Sequence, residues 1–436
     1  FVGTPPAGYR SYLTNAVVEL VARGAIGLRA EEHHALYVDS AVIRQTGQAV
    51  QFTAPGATLF RSRVDTTTNR GEPAVTLGDS SRFMATVVRG AAGAGILLSG
   101  TGVQLNGGRV EGSGGPGLMG TGSLAYAKPV RVVGGHVHPA ELPLAALARL
   151  YPAPADQDSL LGNARDTIYV LGGPAAASFT ARQVLPWRVR ATVAVQAPGI
   201  LRAEPGAVLV FDAGAGLRLH SGGRILARGS QAAPVLFTAE DHATGWIGIY
   251  LDAASTITSY LTNVRIEYAD IANTAVTALG AHTVYVDSAV LRQNGIAAWI
   301  VSPNSRLVRT RVDTTLAPTA AVELGSNARI ESTLIRASSG AGLSVLANTV
   351  MVISCEVRGS VNDGIVLHAL VRVRNCNLVD NLGAGLSNQA GPTVADAEGN
   401  WWGDAGGPNA PAGDGVSGAV DFTPFRTTPY VLPYVP

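Results

Sequence analysis

The sequence predicts an all-β protein, a parallel β-helix (solenoid) in two duplicated segments with a short helical connector between them. Three observations carry this. The first is a duplication at a spacing of 248 residues: Ser11–Glu19 reads SYLTNAVVE and Ser259–Glu267 reads SYLTNVRIE, Tyr37–Gly47 reads YVDSAVIRQTG and Tyr285–Gly295 reads YVDSAVLRQNG, and Arg61–Thr67 reads RSRVDTT against RTRVDTT at Arg309–Thr315. The match continues through Arg89/Arg336, Gly93/Gly340, Val110/Val357 and Val130-Arg131-Val132/Val371-Arg372-Val373, while the spacing slips from 248 to 247 and then to 241. Small slips of this kind are what loop insertions between fixed structural turns produce. The second observation is a finer repeat. Apolar positions recur in the second copy at Ile266, Leu291, Val312, Ile335, Val357 and Leu378, with gaps of 25, 21, 23, 22 and 21 residues. Their first-copy counterparts are Val18, Ile43, Val64, Val88, Val110 and Val137. The third is alternation of apolar and polar residues within each repeat, the period of a strand.

Each element follows from this pattern. Residues 1–137 form the first β-helix segment, a copy lacking anything like the Leu185–Gly248 leader of the second. The chain is therefore expected to be part of a longer protein. Residues 138–180 break the pattern and form a connector. Its Glu141–Leu150 stretch (ELPLAALARL) reads as a short helix stopped by Pro152 and Pro154. Residues 181–422 form the second segment with its C-terminal cap, opening on the runs Val189–Val195, Ile200–Phe211, Leu217–Ala227 and Val235–Thr238. Residues 423–436 are a Pro/Tyr-rich tail expected to lie extended. Within the repeats, Gly-aliphatic steps (Gly95-Ile96, Gly117-Leu118, Gly295-Ile296, Gly342-Leu343, Gly364-Ile365, Gly385-Leu386) mark a turn that re-enters a strand.

Three short strands in about 22 residues bury nothing alone, and stacking on neighbours makes a continuous core. A leucine-rich horseshoe would need a fixed Leu-x-x-Leu-x-Leu pattern, whereas this chain uses Val, Ile and Leu interchangeably. Paired-helix repeats are opposed by the β-branched content and the 52 glycines. A propeller blade needs about 40 residues. The repeats resemble the right-handed parallel β-helix of pectate-lyase-like and bacterial surface proteins, which implies that handedness here. A sharper resemblance is Gly399–Pro408, GNWWGDAGGP, followed by Gly413-Asp414-Gly415-Val416-Ser417-Gly418 and Val420-Asp421-Phe422-Thr423-Pro424-Phe425. This string is similar to the segment closing the C-terminal end of many secreted bacterial β-helices.

Composition narrows the partners. Charged residues are 14% and mean hydropathy is +0.21, but no uncharged apolar run reaches the roughly 18 residues of a membrane helix. A thin solenoid filled with aliphatics has this hydropathy. A net charge of +1 argues against nucleic-acid binding by bulk charge. Lys128 is the only lysine among 32 basic residues, a bias read first as genomic.

The candidate residues are few. Asn400, Trp401, Trp402 and Gly403 are expected to be a structural cap, because each end of a solenoid is an open sheet edge that must be covered. The competing reading of the tryptophans is a sugar-stacking platform. Cys355 and Cys376, 21 residues apart, fall at equivalent corners and stack either as buried thiols or as a disulfide. Asp39 and Asp65, with their copies Asp287 and Asp313, occupy different positions in the repeat, so a shared metal is not expected. Lys128 sits in an Ala/Pro loop with no copy. Arg61, Arg63, Arg309 and Arg311 read as exposed strand residues pairing along the surface, or as a site for a uronic acid or sulfate. His33-His34, His136, His138, His220, His282 and His368 suggest no triad. No cofactor is expected. The expected function is a non-catalytic, extracellular or cell-surface rod: a stalk, adhesin or self-assembling fibre component, with itself or surface glycans as partner. The alternative is a β-helix that binds or degrades polysaccharide.

Overall fold

A computed structural model describes residues 10–19, 24–220 and 222–432. The first nine residues of the expected first segment and the last four residues of the tail lie outside them. The chain divides into two compact units, residues 1–180 with 184–188 and residues 181–183 with 189–436. Each is a parallel β-solenoid, consistent with the right-handed β-helix.

In the first unit each of the first six turns supplies three short strands, one to each of three parallel sheets. The first turn is Arg10–Thr14, Val17–Glu19 and Ile26–Ala30, and the next is Ala35–Asp39, Val42–Thr46 and Gln48–Phe52. Register is set by the alternation, since a one-residue slip would turn every apolar side chain outward. Thus Val38, Leu59, Phe83 and Leu105 stack in the first sheet, each fully buried. Ile43, Val64, Val88, Val110 and Val132 do so in the second. The third holds Val50, Val75, Ile96, Leu118, Ala140 and Ile168. Burying one such side chain contributes about 1.5–3 kcal/mol, and the stack repeats that gain at each turn.

Two details differ from expectation. The column that runs from Val18 through Val110 continues to Val132, not Val137, which lies in a loop. The string Val130-Arg131-Val132 feeds the second sheet, whereas its apparent copy Val371-Arg372-Val373 leads into a first-sheet strand at Val373–Arg374. Valine alternating with a polar residue fits any strand, so the match carried no information about which face it served. The helix is also shorter, Leu144–Leu150. Ala140–Pro143 is instead a third-sheet strand paired with Leu118–Met119 and with Ile168–Leu171. Pro143 precedes the helix, where its missing N–H is no loss. A 3₁₀ turn follows at Pro154–Leu160. Tyr151, fully buried, donates its hydroxyl to the Val130 carbonyl at 2.8 Å, and burial pushes its ionisation up.

The second unit keeps the same plan, except that Ile249–Thr262 and Thr274–Asp287 are continuous 14-residue strands running round the corner between third and first faces. Its second-face column is Ile266, Leu291, Val312, Ile335, Val357 and Leu378, all in register and fully buried, as the sequence period predicts. The Gly-aliphatic steps open third-face strands at Ile96, Leu118, Ile296, Leu343, Ile365 and Leu386. Glycine is required there because an added Cβ at Gly342 would stand 2.3 Å from Cγ1 of the inward Val357.

Candidate functional sites: polar corners, the terminal segment and surface arginines

The corner between the first and second strands turns on one residue with left-handed backbone: Asn15, Ser40, Arg61 and Ala85 in the first unit, Asn263, Ser288, Arg309, Ser332, Ser354 and Asn375 in the second. The residue that follows is Ala or Val at the corners after Asn15, Ser40, Asn263 and Ser288, and at the others it is a buried Ser, Thr or Cys: Ser62, Thr86, Thr310, Thr333, Cys355 and Cys376. Ala41 N–H donates to Ser62 Oγ at 3.2 Å and Ser62 N–H to Thr86 Oγ1 at 3.2 Å. Farther on, Thr310 N–H donates to Thr333 Oγ1 at 3.4 Å, Cys355 N–H to Cys376 Sγ at 3.4 Å, and Cys376 N–H to Asn400 Oδ1 at 2.7 Å. Each hydroxyl or thiol also donates back two residues, as Thr310 does to Val308 O and Cys376 to Arg374 O. The corner peptide thus finds its acceptor on the side chain one turn ahead, which meets the demand that buried backbone groups be paired.

The two cysteines are members of this series. Both are fully buried free thiols, so of the two sequence readings the thiol pair is the one present. Burial first, and then the hydrogen bond to Cys376, push the Cys355 thiol well above the ordinary range. Such a thiol is a poor nucleophile.

Asn400 closes the series. It is fully buried, and its amide nitrogen donates to Val373 O and Ala397 O, both at 2.7 Å. At the next corner Asn381 and Asp414 play the same part. Asn381 Nδ2 donates to Asp414 Oδ2 at 2.6 Å and to Val357 O at 3.1 Å. Burial raises the Asp414 carboxyl above its usual range.

The adjacent tryptophans separate. Trp402 is fully buried, edge-on to Phe422 at 6.4 Å, and Phe422 leans on Phe425. Phe425 lies over Gly407, where a Cβ would meet its ring at 2.8 Å. Trp401 is half-buried and acts through its backbone. Its N–H donates to Cys376 O at 2.9 Å and its carbonyl accepts from Leu378 N–H at 2.8 Å. Gly403 turns the chain at φ +87°. The tail then runs back over the second face, where Tyr430 bonds through both N–H and C=O to the Asn377 side chain, at 2.8 and 2.9 Å.

The surface arginines are engaged with acids one turn away or on the same strand. Arg61 and Arg309 are corner residues, not strand residues as expected. Arg61 grips Asp39 with two hydrogen bonds of 3.1 and 2.6 Å, and Arg309 grips Asp287 with two of 2.9 and 2.5 Å. The Arg61 hydrogen bonds hold the Asp39 carboxyl below its usual range. Arg63 pairs with Asp65 at 2.5 Å, and Asp313 takes both Arg311, at 2.5 Å, and Arg336. Asp39 and Asp65 belong to different sheets and different arginines. Among the described residues no three His, Cys, Asp or Glu side chains gather as a metal site. Lys128 ends a first-face strand, Leu124–Lys128.

One pairing was not read from the sequence. His282 is fully buried with Nε2 2.8 Å from Ser259 Oγ, which also accepts the Ile225 N–H at 3.0 Å. The first copy repeats the pair more loosely, with His34 Nε2 3.5 Å from Ser11 Oγ. The signal was present, because the spacing that matches Ser11 to Ser259 also matches His34 to His282. The His282 Nδ1 has no partner. Burial depresses its pKa to about 4, slightly opposed by Asp252. A charged ring would need acceptors for both N–H groups, and only one is present. The folded-state pKa is below the unfolded value, so this contribution to stability is complete above pH about 6.5 and is lost as pH falls to about 4. The shift from 6.5 to about 4 corresponds to about 3 kcal/mol. Urea midpoints of the wild type and His282→Leu across that window are expected to converge as pH falls, and parallel curves would refute the assignment.

Two open grooves mark the surface. One, of about 550 Å³, lies on the first face of the second unit between Met351, Val371, Arg372, Arg374, Val394 and Asp396. The other, about 940 Å³ and more polar, is lined by Gln45, Thr68, Asn69 and Arg70 in the first unit. No helix among the described residues is long and apolar enough to cross a membrane. No family model matches the chain, and no curated protein or solved structure gives a significant match.

Proposed function

We propose that the protein is a non-catalytic structural rod of the cell surface or extracellular space, serving as stalk, adhesin or fibre component. The observation that carries this is the disposition of its charges. Arg61, Arg63, Arg309, Arg311 and Arg336 are each tied to a carboxylate on the same or a neighbouring turn. The acids therefore string out along the stack, whereas glycoside hydrolysis or lyase chemistry needs two or three of them converging on one bond. Within this reading the segment from Asn400 to Phe425 is a cap. It covers the last second-face strand and supplies the closing acceptor to the corner series, as in the pectate-lyase-like β-helices whose NWWG segment it resembles. With Trp402 inside, no tryptophan pair is available for stacking a sugar.

One observation favours a second reading, a polysaccharide-binding module. The 550 Å³ groove combines the exposed apolar surface of Met351 and Val394 with the guanidinium of Arg372, whose side chain is 82% exposed. Affinity electrophoresis through acidic polysaccharide separates the two, since retardation that is lost in Arg372→Ala is expected of the binding module alone, and a turnover assay tests for catalysis besides. The chain is incubated with acidic polysaccharides while ultraviolet absorbance and reducing ends are followed. No turnover is expected. Turnover abolished by Arg372→Ala with Arg374→Ala would replace the structural reading with an enzymatic one.

A further inference from the structure

The duplication supplies an internal comparison. Both copies have diverged for the same time under the same fold, yet the divergence is uneven. In the first three turns the outward residues of the third face have all changed: Arg29 is matched by Thr277, Gln51 by Trp299 and Thr76 by Glu323. Around the corner between first and second faces of the same turns most outward residues are kept, among them Tyr37/Tyr285, Asp39/Asp287, Arg44/Arg292, Arg61/Arg309, Arg63/Arg311 and Asp65/Asp313, whereas Val17/Arg265, Thr58/Arg306 and Phe60/Val308 have changed. Core packing does not explain this, because these side chains point outward. Stability explains little, since an exposed ion pair contributes about 0–1 kcal/mol. Moreover, Arg61 and Arg309 hold the left-handed conformation, φ +43° and +47°, at a corner where other turns place Asn, Ser or Ala. Strain kept in both copies points to a role for the side chain.

The charges on this surface alternate. Along the second face the column Glu19, Arg44, Asp65, Arg89, Glu111 reads minus, plus, minus, plus, minus at one turn per step. The second copy repeats it in Glu267, Arg292, Asp313 and Arg336 and departs from it at the next turn, where Arg358 stands in place of Glu111. An alternating column matches a two-fold-related copy of itself when the axis passes between turns, so that Arg44 faces the partner's Asp65 and the reverse. A guanidinium has five N–H donors and a carboxylate about four acceptor positions, so groups already paired within the chain can accept a second partner. Exposed Tyr12, adjoining Tyr37 at 5.6 Å, adds flat apolar area at the margin.

We propose that this corner face, present once in each unit, is a self-complementary docking surface whose partner is a second copy of this chain. It rests on the structural reading above and names the surface through which such a rod assembles. Because each chain carries the surface twice, one chain has a docking face for each of two partners.

The test uses the full chain in sedimentation velocity over about 1–100 μM, at about 0.05 and 0.5 M NaCl. Species beyond the dimer are expected at low salt and dissociation at high salt. The charge exchange Arg44→Glu with Arg292→Glu puts a carboxylate opposite the partner's Asp65 and the partner's Asp313 and so destroys the complementarity. It is expected to weaken association about tenfold or more, with unchanged circular dichroism. Inverting one copy alone is expected to stop assembly at the dimer. A wild type that stays monomeric throughout, or association that ignores the exchange, overturns the proposal. The polysaccharide assay is independent of it: an inactive monomer defeats only the interface, and an active one defeats the structural reading.

Discussion

Replacing Trp402 with alanine is expected to destabilise the second unit by about 3–5 kcal/mol, the range for emptying a fully buried large aromatic site. The cavity cannot collapse easily. On one side Phe422 meets the indole edge-on, and behind it Phe425 rests on Gly407, whose φ of +85° leaves no freedom to follow. The indole nitrogen has no hydrogen-bond partner, so Trp402→Phe sheds an unpaired polar group along with some area and is expected to be much milder than alanine. Trp401→Ala is the control. That residue is half-buried and its contribution to the sheet edge is made by backbone bonds to Cys376 and Leu378, so its loss should cost about 1 kcal/mol, typical of a single substitution. Chemical denaturation of the three variants checks the order. Equal effects for Trp401→Ala and Trp402→Ala would show that Trp402 has no special part in closing the stack.

Asn400→Leu is expected to cost a similar amount for a different reason. Leucine fills the volume but strands three buried groups, the Cys376 N–H and the carbonyls of Val373 and Ala397. Each stranded group costs about 1–3 kcal/mol, so a loss of about 3–5 kcal/mol is expected. Asn400→Asp retains the acceptor for Cys376 while losing both donated bonds, and should fall between. Hydrogen exchange at the Cys376 amide gives a local readout. Fast exchange is expected in Asn400→Leu and slower exchange in Asn400→Asp. Unchanged protection in the leucine variant would mean that the amide has another acceptor.

The stack itself was legible because it depends on two periods, alternation within a strand and about 22 residues per turn. The six-residue column from Ile266 to Leu378 and the glycine before the third-face strands at Ile96, Leu118, Ile296, Leu343, Ile365 and Leu386 follow from them directly. The buried position of Cys355 and Cys376 was legible by the same spacing. What escaped was information that spacing does not hold. The string Val-Arg-Val fits any face, so its two occurrences were equated although they serve different sheets. Glu141 to Pro143 reads as helix by composition, but sheet pairing on both sides makes it strand. Asn400 was expected in the cap, but its main role, accepting from the corner ahead of it, depends on which carbonyls and amides the fold leaves over. His282 was passed over because histidines were sought as clusters, whereas its one partner lies a full turn back along the chain.

The corner bonds all point the same way, from a backbone N–H to a side chain one turn later. Such a stack has direction: wherever a corner N–H is paired in this way, its acceptor stands on the turn that follows. Whole turns can be inserted or removed in the middle without loss, provided each brings a Ser, Thr, Cys or Asn to the corner. The corner at Cys376 is different, since its acceptor is Asn400 of the terminal segment, a side chain whose own donors are satisfied locally by Val373 and Ala397. Lengthening by duplicating complete turns is therefore easy, and truncating ahead of Asn400 is not.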